Sequence, residues 1–355
     1  MKKKKLVIFQ NELSAYDIEN YNNIAEVFDL TLAYFLKDKS SIPCNFKKVR
    51  LDSKIIGPFV FLKGVRELAK QSDVVSMLPD LHIPSYWMLP FLHRNFKVVN
   101  WSIGFRVSYV HPYRVDRKHN LLDWFFKQIL NHCDASIFYM EKAKEFWKGQ
   151  LDMNKVFVSI NTTSVLPIQL NPLQKKDILF VGTLYKGKGV DVLLETYKQL
   201  VLLRKNVPHL TIVGDGTERI NLEDFVKMNN LIDNVTFCGA IYDEVRLSSI
   251  FQRALLSVSP YQAGLSVPKS MGYGVPYATR KDAITGGEIY HIKDKDNGFM
   301  YENDHELLNI LIDATDNPQK FIDMGFRAKE YYDNNATVKH RSNGAISAFR
   351  FALGI

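Results

Sequence analysis

The sequence predicts an α/β protein built of two Rossmann-like domains that face each other across a cleft, and three observations carry that expectation. Apolar runs in the second half lead into glycine turns at Ile178–Leu184, Leu210–Gly216 and Val235–Gly239, and the series continues through Leu255–Pro260, Gly264–Ser266 and Gly274–Pro276. Buried parallel strands read as such runs, and ligands bind at their carboxyl ends. The first half alternates short strand-like and helical stretches, the pattern of a parallel sheet with crossovers. A length of 355 residues suits about two domains, each with its own core.

The elements follow in order. Leu6–Gln10 and Thr31–Phe35 are strand-like, with a helical stretch from Ile18 to Val27 between them. Asp73–Met77 and Lys97–Trp101 are further short strands, Leu121–His132 is helical, Ala135–Tyr139 is a strand, and Val156–Ile160 closes the half. The polar segment Asn161–Lys176, with Pro167 and Pro172, is the expected linker. Val190–Leu202 is the helix after the first glycine turn of the second half, and His340–Ile355 is helical in pattern.

Composition narrows the class. With 46% hydrophobic and 24% charged residues the chain is globular rather than disordered. It holds no stretch near the roughly 18 uninterrupted apolar residues of a membrane span. Lys2–Lys5 precede only Leu6–Phe9, too short for a secretory segment, so a cytoplasmic protein is expected. Cys44, Cys133 and Cys238 share no metal-ligand spacing and suit a reducing compartment. The net charge of +8 lies wholly in residues 1–165, with 24 Lys and Arg against 16 Asp and Glu. Such a basic half draws anionic partners: nucleic acid, lipid headgroups or a pyrophosphate-bearing substrate. Two stretches, Phe46–Arg66 and Tyr86–Arg114, interleave cations with aromatic and aliphatic residues, which suits an anionic membrane surface or a core with cations reaching outward. A nucleic-acid partner is not expected, because it would leave the second-half glycine turns unexplained.

From about residue 172 to 338 those turns resemble the nucleotide-binding domain of the retaining GT-B glycosyltransferases of family four. The matching elements are Gly182–Gly189, Ile212–Gly216, Val235–Gly239, Tyr261–Pro276, and the pairs Gly286-Gly287 and Asn297-Gly298. The opening, Leu6–Asn11 and then Phe28–Leu32, is similar to the family's first β-loop-α-β unit. The resemblance implies a GT-B fold with domains at 1–165 and 172–339, the last helix (340–355) crossing back onto the first. It also implies donor contacts from Gly182, Thr183, Lys188, Gly214, Phe237, Gly239, Tyr261, Gly264, Leu265, Ser266, Lys269 and Glu288. On the facing domain it implies Asn11 and Glu12 after the first strand, with His82 and Arg106 after two others, as catalytic positions.

This chain departs from the family at telling places. The two glutamates that hold donor sugar and ribose fall on Tyr261 and Lys269, and the arginine facing the diphosphate falls on Thr183. A lysine cannot accept a hydrogen bond from a ribose hydroxyl. Lys188 is the expected diphosphate cation, with the N–H groups of Gly264, Leu265 and Ser266 aimed at phosphate and Lys269 restoring the charge that Thr183 lacks.

The expected protein is a hexosyl-type glycosyltransferase of surface-polysaccharide assembly, such as capsule or O-antigen. It uses a nucleotide-diphosphate sugar as co-substrate, with UDP the default, and no cofactor or metal. The acceptor is lipid-linked or an oligosaccharide, and the setting is the cytoplasm or the inner face of the plasma membrane. The family reacts with retention, the departing phosphate taking the acceptor proton, so no protein nucleophile is required. The altered glutamates leave open a non-catalytic nucleotide-sugar-binding relative. An oxidoreductase is disfavoured by the lack of a G-x-G-x-x-G turn opening a βαβ unit.

Overall fold

The structure, a computed structural model, describes residues 2–105 and 118–355, which fall into two compact units. In the first, strands β1 (Lys5–Gln10), β2 (Asp29–Tyr34), β3 (Lys47–Arg50), β6 (Val74–Met77), β7 (Lys97–Ser102), β8 (Ala135–Phe138) and β9 (Val156–Val158) form a seven-stranded sheet. A separate antiparallel hairpin joins β4 (Ser53–Ile56) to β5 (Phe59–Leu62). The helices are α1 (Ile18–Val27), α2 (Val65–Lys70), α3 (Pro84–Trp87), α4 (Leu121–His132) and α5 (Lys142–Phe146). The sheet is parallel in the order β3-β2-β1-β6-β7-β8-β9, so its winding reverses between β1 and β6.

Alternation along each strand builds two cores, since successive side chains point to opposite faces. Leu6 and Ile8 pack with Ile18 and Ile24 of α1 and with Phe349 of the C-terminal helix, Val338–Leu353. Val7 and Phe9 pack with Val65, Tyr86 and Ile129 on the other face. The C-terminal helix is pinned to this unit by a buried ion pair, Arg341 to Asp17 at 2.7 Å, and by the Ser159 hydroxyl donating to the Arg341 carbonyl.

The second unit holds β10 (Asp177–Val181), β11 (His209–Val213), β12 (Val235–Phe237), β13 (Ala254–Val258), β14 (Gln262–Ala263), β15 (Tyr277–Arg280), β16 (Ile284–Thr285) and β17 (Gly298–Tyr301). Its helices are α6 (Val190–Leu203), α7 (Arg219–Met228), α8 (Glu244–Arg253), α9 (Ser266–Gly272), α10 (Asp304–Asp316) and α11 (Pro318–Asn335). Six strands run parallel in the order β12-β11-β10-β13-β15-β17, a doubly wound sheet that reverses between β10 and β13. Ile178 and Phe180 bury against Leu193, Tyr197 and Leu311, while Leu179 faces Phe251 and Tyr273.

The unit boundaries fall at 161/162 and 337/338 rather than at the expected 165–172 and 339/340. Hydrogen bonds set them. The Thr162 hydroxyl donates to the Ala336 carbonyl and the Tyr332 hydroxyl to the Thr163 carbonyl, which ties the first residues of the expected linker to the second unit.

Candidate functional site

In a doubly wound sheet the crevice outside the strand ends opens where the winding reverses. In the second unit that point lies past β10 and β13, where Gly182–Lys188 and Pro260–Ser266 emerge. A short turn, Lys186–Lys188, leads through Gly189 in a left-handed conformation (φ +69°) into α6. This turn folds Lys188 back, so its ammonium lies 3.6 Å from where a Cβ of Gly182 would stand. The Lys188 ammonium has no hydrogen-bond or ion-pair partner among the described residues. Burial lowers its pKa below the ordinary lysine value, and the charge of Glu288 acts against that shift.

Glu288 is buried and accepts from the Gly286 N–H (2.7 Å) and the Thr285 hydroxyl (3.0 Å), which fixes its carboxylate. Tyr261 lies over Gly189, where a Cβ would come 2.8 Å from its ring, and the Arg280 guanidinium stands 5.4 Å above that ring. Arg280 escaped the sequence reading because it belongs to none of the glycine turns. Only the fold carries the end of β15 to Tyr261.

The helix α9 opens with no side-chain cap on its first N–H groups, and a Cβ at the neighbouring Gly264 would meet nothing within 4 Å. Leu265 stands at its N-cap, and the Ser266 hydroxyl is shared with Tyr277 at 2.7 Å. Thr183 is exposed. Gly214 is explained by packing and Gly239 by its left-handed backbone (φ +69°). The Gly214 N–H donates to the Gly239 carbonyl, and a Cβ on Gly214 would stand 1.8 Å from the Gly182 carbonyl oxygen. Phe237, half-buried, ends β12 just before Gly239.

One expectation is corrected. Lys269 does not offer a free cation, because its ammonium is paired with the Glu244 carboxylate at the start of α8. No motif marks Glu244, which lies 25 residues away on another helix.

In the first unit the winding reverses between β1 and β6, and the loops there carry three of the expected catalytic residues. The buried carbonyl oxygen of the Asn11 side chain has no hydrogen-bond partner among the described residues. Glu12 is committed to Lys39 at 2.9 Å and to the Ser14 hydroxyl; the hydrogen bond from Lys39 lowers its pKa. That pairing suits a fixed anion rather than a proton acceptor. His82 is exposed, with Nδ1 3.0 Å from the Pro58 carbonyl, and lines a cavity of about 540 Å³ with Asp80, Ser102, Phe105 and Phe126. Arg106 lies outside the described residues. In the second basic-aromatic stretch Tyr86 is buried against Phe9, with ring centroids 5.5 Å apart, and Leu89 is buried too, while Met88 and Phe91 are exposed; residues 106–114 of that stretch lie outside the described residues.

The two Rossmann-like units have the fold of the GT-B glycosyltransferases, and the chain is a glycosyltransferase. Residues 164–331 match the family described as Glycosyl transferases group 1. A Haemophilus influenzae protein described as an uncharacterized glycosyltransferase is 26% identical over 280 residues, covering 76% of this chain and 75% of its own length. The crystal structure of Anabaena Alr3699/HepE with UDP superposes at a TM-score of 0.69, with 15% identity, over 97% of this chain and 98% of that one. WaaG, a glycosyltransferase involved in lipopolysaccharide biosynthesis, superposes at 0.66 with 16% identity, over 96% and 98%.

Proposed function

We propose that this glycosyltransferase moves a sugar from a UDP-sugar to a lipid-linked glycan in surface-polysaccharide assembly, with retention at the anomeric carbon, at an anionic membrane surface. The observation that carries the donor half of this reading is Lys188. A partly buried ammonium without a protein partner, beside a glycine at the reversal point of a parallel sheet, is suited to a diphosphate.

In the reaction the bond from the anomeric carbon to the diphosphate oxygen breaks, and the acceptor oxygen bonds to that carbon. The acceptor proton passes to the departing phosphate oxygen. Lys188 and the uncapped start of α9 would stabilise the charge that gathers on that phosphate, since fixed donors act most strongly where charge develops. HepE has been crystallised with UDP and with UDP-glucose, which supports UDP as the nucleotide. WaaG's part in lipopolysaccharide biosynthesis supports a lipid-linked glycan acceptor. No helix among the described residues is long and apolar enough to cross a membrane, so contact with such an acceptor would be made from the surface.

Thermal-shift screening against UDP, GDP, dTDP and CMP sugars tests the donor. A rise with one UDP-sugar and none with the others is expected, because a ligand that binds only the folded state stabilises it by mass action. A selective rise with a GDP-sugar would overturn the nucleotide, and no rise with any would overturn the donor site.

A further inference from the structure

The β4–β5 hairpin of the first unit exposes apolar side chains that the fold leaves uncovered. Ile55 is 74% exposed, Ile56 53%, Phe59 41% and Phe61 40%. The register pairs Ile56 with Phe59 and Lys54 with Phe61, so these four share one face of the ribbon, while Val60 and buried Leu62 point the other way. Folding therefore does not require that outer face to be apolar. The hairpin is held along one edge by the Val60 N–H donating to the His82 carbonyl (2.7 Å) and the Leu62 N–H to the Ser85 hydroxyl (2.8 Å).

Two further features surround the hairpin. Pro58 and Phe59 at its tip form one wall of the 540 Å³ cavity that His82 lines, and Leu122 and Phe126 of α4 form another. Beside Leu122, Leu121 and Trp124 are 79% and 57% exposed. The segment from Phe46 to Lys70 carries seven Lys or Arg against Asp52 and Glu67, a net charge of +5. Among the described residues Arg50, Lys54, Lys63, Arg66 and Lys70 have no ion-pair partner. A cluster of large apolar side chains ringed by unpaired cations complements a surface with a hydrocarbon interior and anionic headgroups.

We propose that the β4–β5 hairpin and the first turn of α4 are a wedge that enters the interface of an anionic lipid bilayer, with Lys54, Lys63 and Arg66 on the headgroups. The cavity behind Phe59 then opens at the membrane surface, where the glycan end of a lipid-linked acceptor can enter while its lipid stays in the bilayer. This deepens the membrane and acceptor parts of the proposed function and rests on them.

Flotation of the whole protein with phosphatidylcholine vesicles, with and without phosphatidylglycerol, tests it. The parent is expected to float with the phosphatidylglycerol vesicles and to lose binding as salt rises. The double variant Ile56→Asp/Phe61→Asp is expected to bind at least about tenfold more weakly, since two apolar side chains of the outer face no longer leave water. Both residues are exposed, so an unchanged melting temperature should accompany that loss. In a second variant, Ile56→Trp/Trp124→Phe, the tryptophan emission of the hairpin should shift to the blue when vesicles are added.

A parent that does not float overturns the membrane reading and this proposal together. A parent that floats while the aspartate variant floats equally well, or while the hairpin tryptophan shows no shift, overturns the wedge alone. So does a dimer in solution that the aspartate variant breaks with vesicle binding unchanged.

Discussion

Lys269 in α9 and Glu244 at the first position of α8 form an ion pair that joins the two helices, with the Lys269 side chain mostly buried and Glu244 half exposed. The Tyr273 hydroxyl lies 3.5 Å from the other Glu244 oxygen. The cation that seemed suited to replace a missing arginine is thus matched by a carboxylate, and the pair brings no net charge to the neighbouring turn. Glu244 also gains from its place at a helix N-terminus, where a negative charge is favoured.

The two lysines should therefore behave differently. Lys188→Ala is expected to weaken UDP binding about ten- to hundredfold, the effect of losing a charge-assisted hydrogen bond worth about 1.5–3 kcal/mol. Lys269→Ala should change it by less than about threefold and cost about 1 kcal/mol of stability at most, as for a partly exposed ion pair. Calorimetric titration with UDP, and with UMP as the control, separates them. Equal losses in both variants would show that Lys269 leaves Glu244 when the nucleotide binds.

Lys188 also sets a pH dependence. Its pKa lies below the ordinary lysine value because burial disfavours the charged form. UDP affinity should therefore fall with rising pH, starting below the ordinary lysine range, as the ammonium loses its proton. The ligand-free protein has the opposite sign: the unfolded chain binds the extra proton across that window, so stability rises with pH. Lys188→Arg should keep UDP affinity level across the same range. An affinity in the parent that stays flat there would remove Lys188 from the diphosphate.

Much of the fold was legible in the sequence because buried parallel strands are nearly continuous apolar runs, and β10, β11 and β13 stand within a residue or two of their expected places. The strand β3 and the hairpin were not, since Lys47–Arg50 carries charge at three of four positions and the hairpin lacks the polar-apolar alternation of a half-buried strand. Lys188 was legible through its glycine neighbours. Glu244 and Arg280 were not, because each reaches its partner only after strands distant in sequence are brought side by side.

Gly214 tests the frame of the site rather than its chemistry. Its φ of +149° lies where other residues rarely go, and the missing Cβ would overlap the Gly182 carbonyl. Gly214→Ala must separate the turn after β11 from the turn after β10. A loss of about 3 kcal/mol is expected from overpacking and backbone strain together. UDP binding should fall with it, because Gly182 lies beneath the Lys188 ammonium. Urea unfolding and calorimetry report the two effects, and a variant as stable as the parent would show that the turns are not in contact.

Lys175 offers a clean test of burial alone. It is 7% exposed, and among the described residues its ammonium makes one hydrogen bond, donated to the Ala254 carbonyl at 3.2 Å. Burial lowers its pKa from 10.5 to about 8. In the folded protein the proton therefore leaves near pH 8, while the unfolded chain keeps it until the ordinary value. Between those limits the unfolded state binds more protons, so stability must rise with pH, by about 3 kcal/mol over the window. Below pH 8 both states are protonated and this contribution is flat. Lys175→Met fills a similar volume without the charge. It should be about 1–3 kcal/mol more stable than the parent at pH 7, and the difference should shrink as pH approaches 10. Urea unfolding of both proteins at pH 7 and pH 10 measures this directly. A constant difference between the two proteins across that range would mean that Lys175 keeps its proton in the fold and that water reaches its ammonium.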